Sequence, residues 1–177
     1  MKSRDRKITI IFPIYNEEKR LILSLKEIKK FSISFKKRNL ELIFVNDGSK
    51  DNSFNLIEDF KKRNQKKIDI KLISYRTNKG KGFAVKTGIL KSSKEWILIC
   101  DCDLSVHPKQ LIKWFNQKKI LSRETAYFGS RVHQNSIIKA DLTRIILGFF
   151  FKKILKYLLQ IELGDTQCGF KLFNKAY

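Results

Sequence analysis

Runs of β-branched and aromatic residues alternate along this chain with stretches whose apolar positions recur every three or four residues. That alternation predicts βαβ units feeding a mostly parallel sheet, and so an α/β fold. Residues 7–14 read as a first strand and 20–31 as an amphipathic helix with Leu21, Leu25 and Ile28 on one face. A strand over 40–45 follows, then a helix over 51–63 that Asp51 or Asn52 can cap, a strand over 68–75 and a helix over 83–92. Residues 96–100 form a short apolar strand expected to be buried on both faces. After His107, Pro108 opens another helix at the position where its missing N–H costs nothing. Beyond it the pattern predicts a strand over 125–129, a long helix over 141–159 and a last strand over 169–173, with no internal repeat or low-complexity linker.

A length of 177 residues suits a single domain able to bury a sizeable core, here expected to span 1–177. With 42% hydrophobic and 31% charged residues the composition is that of a folded protein. The charge changes the picture more: 38 Lys and Arg against 17 Asp and Glu leave a net charge of +21. Such a chain is drawn to polyanions, whether nucleic acid, an anionic membrane face or a phosphate-bearing substrate. Its lysines are scattered, without the clustered basics and interleaved aromatics, zinc-finger spacing or helix-turn-helix signature that would put nucleic acid first. Three cysteines outside any disulfide-dense pattern suit a reducing compartment. Polar residues and Pro13 interrupt the basic N-terminus before a signal peptide could form. The most apolar segment, 145–151, is far short of the roughly 20 residues a membrane-spanning helix needs.

In an open α/β sheet, ligands sit beyond the carboxyl ends of the strands. Those positions are polar here: Pro13-Ile14-Tyr15-Asn16-Glu17-Glu18 after the first strand, Asn46-Asp47-Gly48-Ser49 after the second, Asp101-Cys102-Asp103 after the fourth. No glycine-rich turn follows the first strand, Val85 stands where a third glycine would follow Gly80 and Gly82, and no Walker-type sequence occurs, which disfavours the corresponding nucleotide folds. An isolated Asp-x-Asp is ordinarily a solvated turn, but its place after a buried strand favours a cation site. Extended backbone would aim Asp101 and Asp103 to one side and Cys100 and Cys102 to the other. Mg²⁺ or Mn²⁺ commonly bridges one or two carboxylates to substrate phosphates. Cys100, Cys102, His107 and Cys168 lack zinc spacing, and His133 has no evident partner and reads as a surface-loop residue.

The three polar edges, in this order, resemble family 2 of the glycosyltransferases, with its GT-A type fold. Gly129-Ser130-Arg131 and the stretch from Asp165 through Gly169 to Phe173 narrow the resemblance to the dolichyl- or polyprenyl-phosphate glucosyltransferases. The resemblance implies that Pro13, Tyr15 and Glu17, with Asp47 beside them, meet the base and ribose of UDP-glucose. It places Asp101 and Asp103 at a metal, Mg²⁺ or Mn²⁺, and the diphosphate, and Lys81 of the Asn78-to-Gly82 segment near the nucleotide. Arg131 and Arg144 match positions thought to engage a lipid phosphate, a role suited to a guanidinium fork; a surface arginine is the other reading of each.

The expected reaction is inverting transfer of glucose to a dolichyl or polyprenyl phosphate, with the protein peripheral on the cytoplasmic face of a membrane. Residues 145–163 mix Phe149, Phe150, Phe151 and Leu155 with Lys152, Lys153 and Lys156, a pattern that fits a helix lying in a membrane interface and equally one packed on the sheet. The chain stops soon after the Asp165-to-Phe173 stretch, where relatives continue, so truncation is expected. The competing readings are a family member using GDP-mannose or a glycan acceptor, and an inactive nucleotide- or polyanion-binding protein.

Overall fold

The computed structural model describes residues 6–117, 123–129 and 168–176. Its contacts form two compact units, Met1–Tyr127 with Gly169–Tyr177, and Phe128–Cys168. The helix expected over 141–159, the segment 145–163, and Arg131, His133 and Arg144 lie outside the described residues.

The elements alternate as the pattern predicts: β1 (Ile8–Ile14), α1 (Glu18–Ser32), β2 (Leu40–Asp47), α2 (Ser53–Asn64), β3 (Asp69–Tyr75), α3 (Lys81–Lys91), β4 (Trp96–Ile99), α4 (Lys109–Asn116), β5 (Tyr127–Phe128) and β6 (Lys171–Asn174). They build one sheet in the order β3-β2-β1-β4-β6-β5. β1 pairs in parallel with β2 and β4, and β2 with β3, while β6 runs antiparallel to β4. The first four strands therefore wind outward from β1 in two directions, and the crevice of such a sheet opens between β1 and β4. Several ends shift: β4 stops at Ile99, β5 is two residues long, β6 begins at Lys171, and Pro108 is the N-cap of α4 instead of its first residue.

The two faces of the sheet are covered differently. Ile11, Ile43, Val45 and Ile97 pack with Ala84 of α3, joined by Ile73, Ile89 and Phe173. The small residues Ala84 and Gly88 bring α3 close; a Cβ on Gly88 would come within 2.5 Å of Ile11 Cγ2. On the other face Phe12 stacks on Phe44 at 5.1 Å, Phe60 of α2 meets Phe44 edge-on, and Phe115 of α4 meets Trp96. These buried strands carry side chains covered from both sides, which is why they read as nearly continuous apolar runs.

One carboxylate interrupts the apolar run of β2. Glu41 is fully buried near the amino ends of the strands, where it accepts hydrogen bonds from Thr9 Oγ1 at 2.5 Å, Ser93 N at 2.8 Å and Ser93 Oγ at 3.0 Å, and pairs with Lys71 Nζ at 2.6 Å. Burial alone would raise its pKa, but the donors from Lys71, Thr9 and Ser93 together outweigh burial and hold it below the usual glutamate value. Every lone pair has a use, so this acid is a structural tie among β1, β2, β3 and the loop before β4.

Pro13 marks where the crevice begins. The β1–β4 ladder ends at Ile11 and Ile99, closed by Cys100 N donating to the Ile11 carbonyl at 3.0 Å. Alternation turns the nitrogen of Pro13 to that same side, two residues on, where β4 has already left the sheet. Its absent N–H therefore removes no ladder bond.

Candidate active site

A pocket of about 370 Å³ lies at the carboxyl ends of β1, β2 and β4 and at the start of α3, and includes Tyr15, Glu17, Asp47, Lys81, Asp101 and Asp103 in its lining. Pro13, Ile14, Asn78, Gly80, Ala84 and Cys102 complete the wall. The pocket thus gathers seven of the nine residues singled out in the sequence, Arg131 and Arg144 lying outside the described residues.

The β1–α1 and β2–α2 loops are tied to each other. Asn16 N donates to Ser49 Oγ at 3.0 Å, and Lys50 N donates back to Asn16 Oδ1 at 2.8 Å. Glu17 N donates to Ser53 Oγ at 2.9 Å, and Glu18 N to Asp51 Oδ2 at 3.0 Å. Of the two residues expected to cap α2, Asn52 takes the N-cap position without a side-chain cap bond, while Asp51 accepts from Ser53 N at 3.0 Å and also satisfies the start of α1. Burial pushes its carboxyl up, but the donors from Ser53 and Glu18 outweigh that and keep it below the ordinary aspartate range. Asn16 sits at φ +54°, a left-handed conformation that asparagine tolerates better than most residues.

Glu17 and Asp47 have their own supports. The Arg20 guanidinium donates to both oxygens of Glu17, at 2.8 and 3.0 Å. Asp47 is buried and accepts from Lys79 N at 2.8 Å, which fastens the β3–α3 loop to the end of β2. Gly48 allows that contact: its φ is +73°, and a Cβ there would come within 2.6 Å of the Thr77 carbonyl carbon. The Lys79 ammonium lies over the rings of Phe83 at 4.8 Å and Tyr75 at 5.5 Å.

Asp101 and Asp103 share the pocket for a different reason than the one expected. The backbone leaves the line of β4 after Asp101, in a turn closed by Leu104 N donating to Asp101 O at 3.1 Å. Leu104 is held at φ +53°, a costly conformation for leucine, and Asp103 Oδ1 accepts from Ser105 N at 2.9 Å. Asp101 Oδ1 meets Lys81 Nζ at 2.6 Å. Cys102, between them, is buried, and its thiol is pushed up to about 12, first by burial and then by the charges of Glu17, Asp103 and Asp101.

Among the described residues no group of three or more His, Cys, Asp and Glu is arranged to enclose a metal by itself. His107 is a helix-opening residue: its Nδ1 accepts from Lys109 N at 3.0 Å, its ring lies edge-on to Phe31, and burial lowers its pKa. Two carboxylates on one wall of an open pocket still fit a hard divalent ion that takes its remaining ligands from phosphate and water. The ammonium already paired with Asp101 shows that this wall accepts positive charge. Beside that wall α3 begins after its N-cap Gly80 without a side-chain cap or an acidic residue in its first turn, which leaves its positive end to an anion.

The chain is similar to dolichyl-phosphate beta-glucosyltransferases of Trichomonas vaginalis, 34% identical over 94% of this chain and 51% of that protein, and of Homo sapiens, 33% identical over 98% and 56%. It thus spans about half the length of the curated relatives it matches. A mannosyltransferase from Pyrobaculum calidifontis, solved with GDP-Man and Mn²⁺, shares the fold with a TM-score of 0.52 and 22% identity, covering 58% of this chain and 29% of that one. The fold is of the GT-A type, a sheet with flanking helices and an acid-lined cleft at its carboxyl edge. With residues 9–177 matching the family described as Glycosyl transferase family 2, the carboxylate-lined edge falls within a known lineage: the chain belongs to glycosyl transferase family 2.

Proposed function

We propose that the protein transfers glucose from UDP-glucose to a dolichyl or polyprenyl phosphate, with inversion, at the cytoplasmic face of a membrane. The observation that carries this reading is the convergence of Tyr15, Glu17, Asp47, Lys81, Asp101 and Asp103 on one pocket. The names of the curated relatives support the acceptor class.

Tyr15, Glu17 and Pro13 line the part of the wall built by the end of β1, and together with Asp47 they would receive the nucleoside. Asp101 and Asp103 would hold Mg²⁺ or Mn²⁺, which when bound neutralises charge developing on the departing diphosphate. Lys81 and the uncapped start of α3 would add positive charge on the same side. The attacking oxygen of a phosphate monoester is already anionic near neutral pH, its second pKa being about 6, so the chain need not supply a general base. Arg131 and Arg144 are assigned by the resemblance to the acceptor phosphate. Attraction of a +21 chain to anionic lipid would bring the pocket to a lipid-borne acceptor; among the described residues no helix is long and apolar enough to cross a membrane.

Calorimetric titration of UDP-glucose and GDP-mannose, each with and without Mn²⁺, tests the donor. Mn²⁺-dependent binding of UDP-glucose alone is expected, and a preference for GDP-mannose would move the protein to a mannosyl donor. Flotation with anionic vesicles tests the membrane arm, which fails if the protein stays at the bottom of the gradient.

A further inference from the structure

We infer that Gly169 is a positioning residue for the Asp101 carboxylate, and that its missing side chain is the slot in which that carboxylate lies. The inference rests on the proposed role of Asp101 at the metal and diphosphate. It starts from the register of β6 on β4, which pairs Ile97 with Phe173 and Ile99 with Lys171. Carried two residues past its last pair, that register sets Gly169 opposite Asp101. Residues directly opposite in an antiparallel pair project to the same face. The face is the one α3 covers, since Ile97 and Phe173 belong to the cluster around Ala84.

A Cβ added to Gly169 would overlap the Asp101 carboxylate, coming within 2.8 Å of Oδ1 and closer still to Cγ and Oδ2. The carboxylate is confined from the other side by Lys81 Nζ at 2.6 Å from Oδ1. The Gly169 backbone has little freedom to retreat. Its neighbour Phe170 is buried against Trp114, ring centroids 5.3 Å apart, and Leu172 is fully buried.

Left-handed backbone does not explain the glycine. Among the described glycines only Gly48 and Gly80 have positive φ, so alanine at 169 meets no conformational penalty of that kind. What a methyl group there meets is the neighbouring acid, which must move to admit it. Asp101 lies between the start of α3 and the strand that returns antiparallel beside β4, and a methyl group at 169 would displace its oxygens from their present place beside Lys81.

The test combines Mn²⁺ binding in the presence of UDP with thermal melting in metal-free buffer, for wild type, Gly169→Ala, Asp101→Gly and the double variant. Gly169→Ala is expected to weaken Mn²⁺ binding by about 10- to 100-fold, the range for loss of a residue that orients a ligand, and to lower the melting temperature. In the Asp101→Gly background the same alanine should cost nothing in melting, because the obstructing carboxylate is gone. Should Gly169→Ala fail to fold while the double variant folds, the steric coupling stands. An equal melting cost in both backgrounds, or wild-type Mn²⁺ affinity in Gly169→Ala, overturns it. If wild type itself binds no Mn²⁺ with UDP, the metal reading fails, and the melting cycle alone decides whether the carboxylate occupies the glycine's slot.

Discussion

The sheet carries acid at both ends, and the two ends treat it differently. At the amino end Glu41 is fully buried, and Thr9, Ser93 and Lys71 use both of its oxygens. At the carboxyl end Asp101 has a side chain 36% exposed and pairs with Lys81, while Asp103 is exposed and receives one backbone donor from Ser105. A buried charge whose partners all belong to the protein is committed to the fold, since removing one partner strands the others at a cost in stability. Carboxylates that keep lone pairs toward an open pocket retain the capacity to bind something else. Location relative to strand direction separates them, because ligand crevices of such sheets form at the carboxyl edge.

The comparison breaks most visibly at Asp103. Replacing it by Asn should abolish Mn²⁺-dependent sugar transfer, a loss of about 10³-fold or more, while circular dichroism and the melting temperature stay at wild type because the side chain is exposed. Full activity in that variant would remove the cation from the pocket. The reverse pattern is expected at the other end: Glu41→Ala should cost about 3 kcal/mol of stability by leaving buried donors without an acceptor. Denaturant titration reads that loss as a lower midpoint at unchanged slope, with UDP affinity preserved in the folded fraction.

Acid sharpens the same contrast. The pKa of Glu41 lies below the ordinary value of about 4.3 in the folded chain, so its contribution is whole above that pH and is lost as pH falls through the depressed folded value. Glu41→Gln should therefore flatten the acid limb of stability against pH, and an unchanged limb would mean that another group governs it. The smallest effect is expected at Lys81. Lys81→Met removes the cation that occupies Asp101, so Mn²⁺ alone should bind about two- to fivefold more tightly, in keeping with the modest strength of exposed ion pairs. UDP binding should weaken at the same time, and two shifts in the same direction would sever the link between Lys81 and the diphosphate.

The order of strands and helices was legible because β1, β2 and β4 are apolar runs buried on both faces and each helix keeps an apolar stripe. The pocket wall was legible for the same reason: once strand ends are placed, the polar residues after them are placed too. Tertiary arrangement was not legible. Nothing local says that β6 runs antiparallel to β4, and that reversal brings Gly169 to Asp101. Extended backbone was expected through Asp101 and Asp103, but the positive φ of Leu104 makes a turn, a conformation a leucine does not advertise. Asp51 and Asn52 were visible as cap-forming residues for α2; that Asp51 and Ser53 also serve the start of α1 depends on two loops meeting. Glu41 stood in the sequence as one acid in an apolar strand, and that mismatch was the available signal for a buried polar network.

The reciprocal bonds between residues 16–18 and 49–53 make one body of two loops that are far apart in the chain. Neither can swing out without the other, so the nucleoside of the proposed donor would meet a surface already set, and little of its binding energy would go into quieting the backbone. Amide exchange should report that union: the protons of Asn16, Glu17, Glu18 and Lys50 should be released together, in one concerted opening.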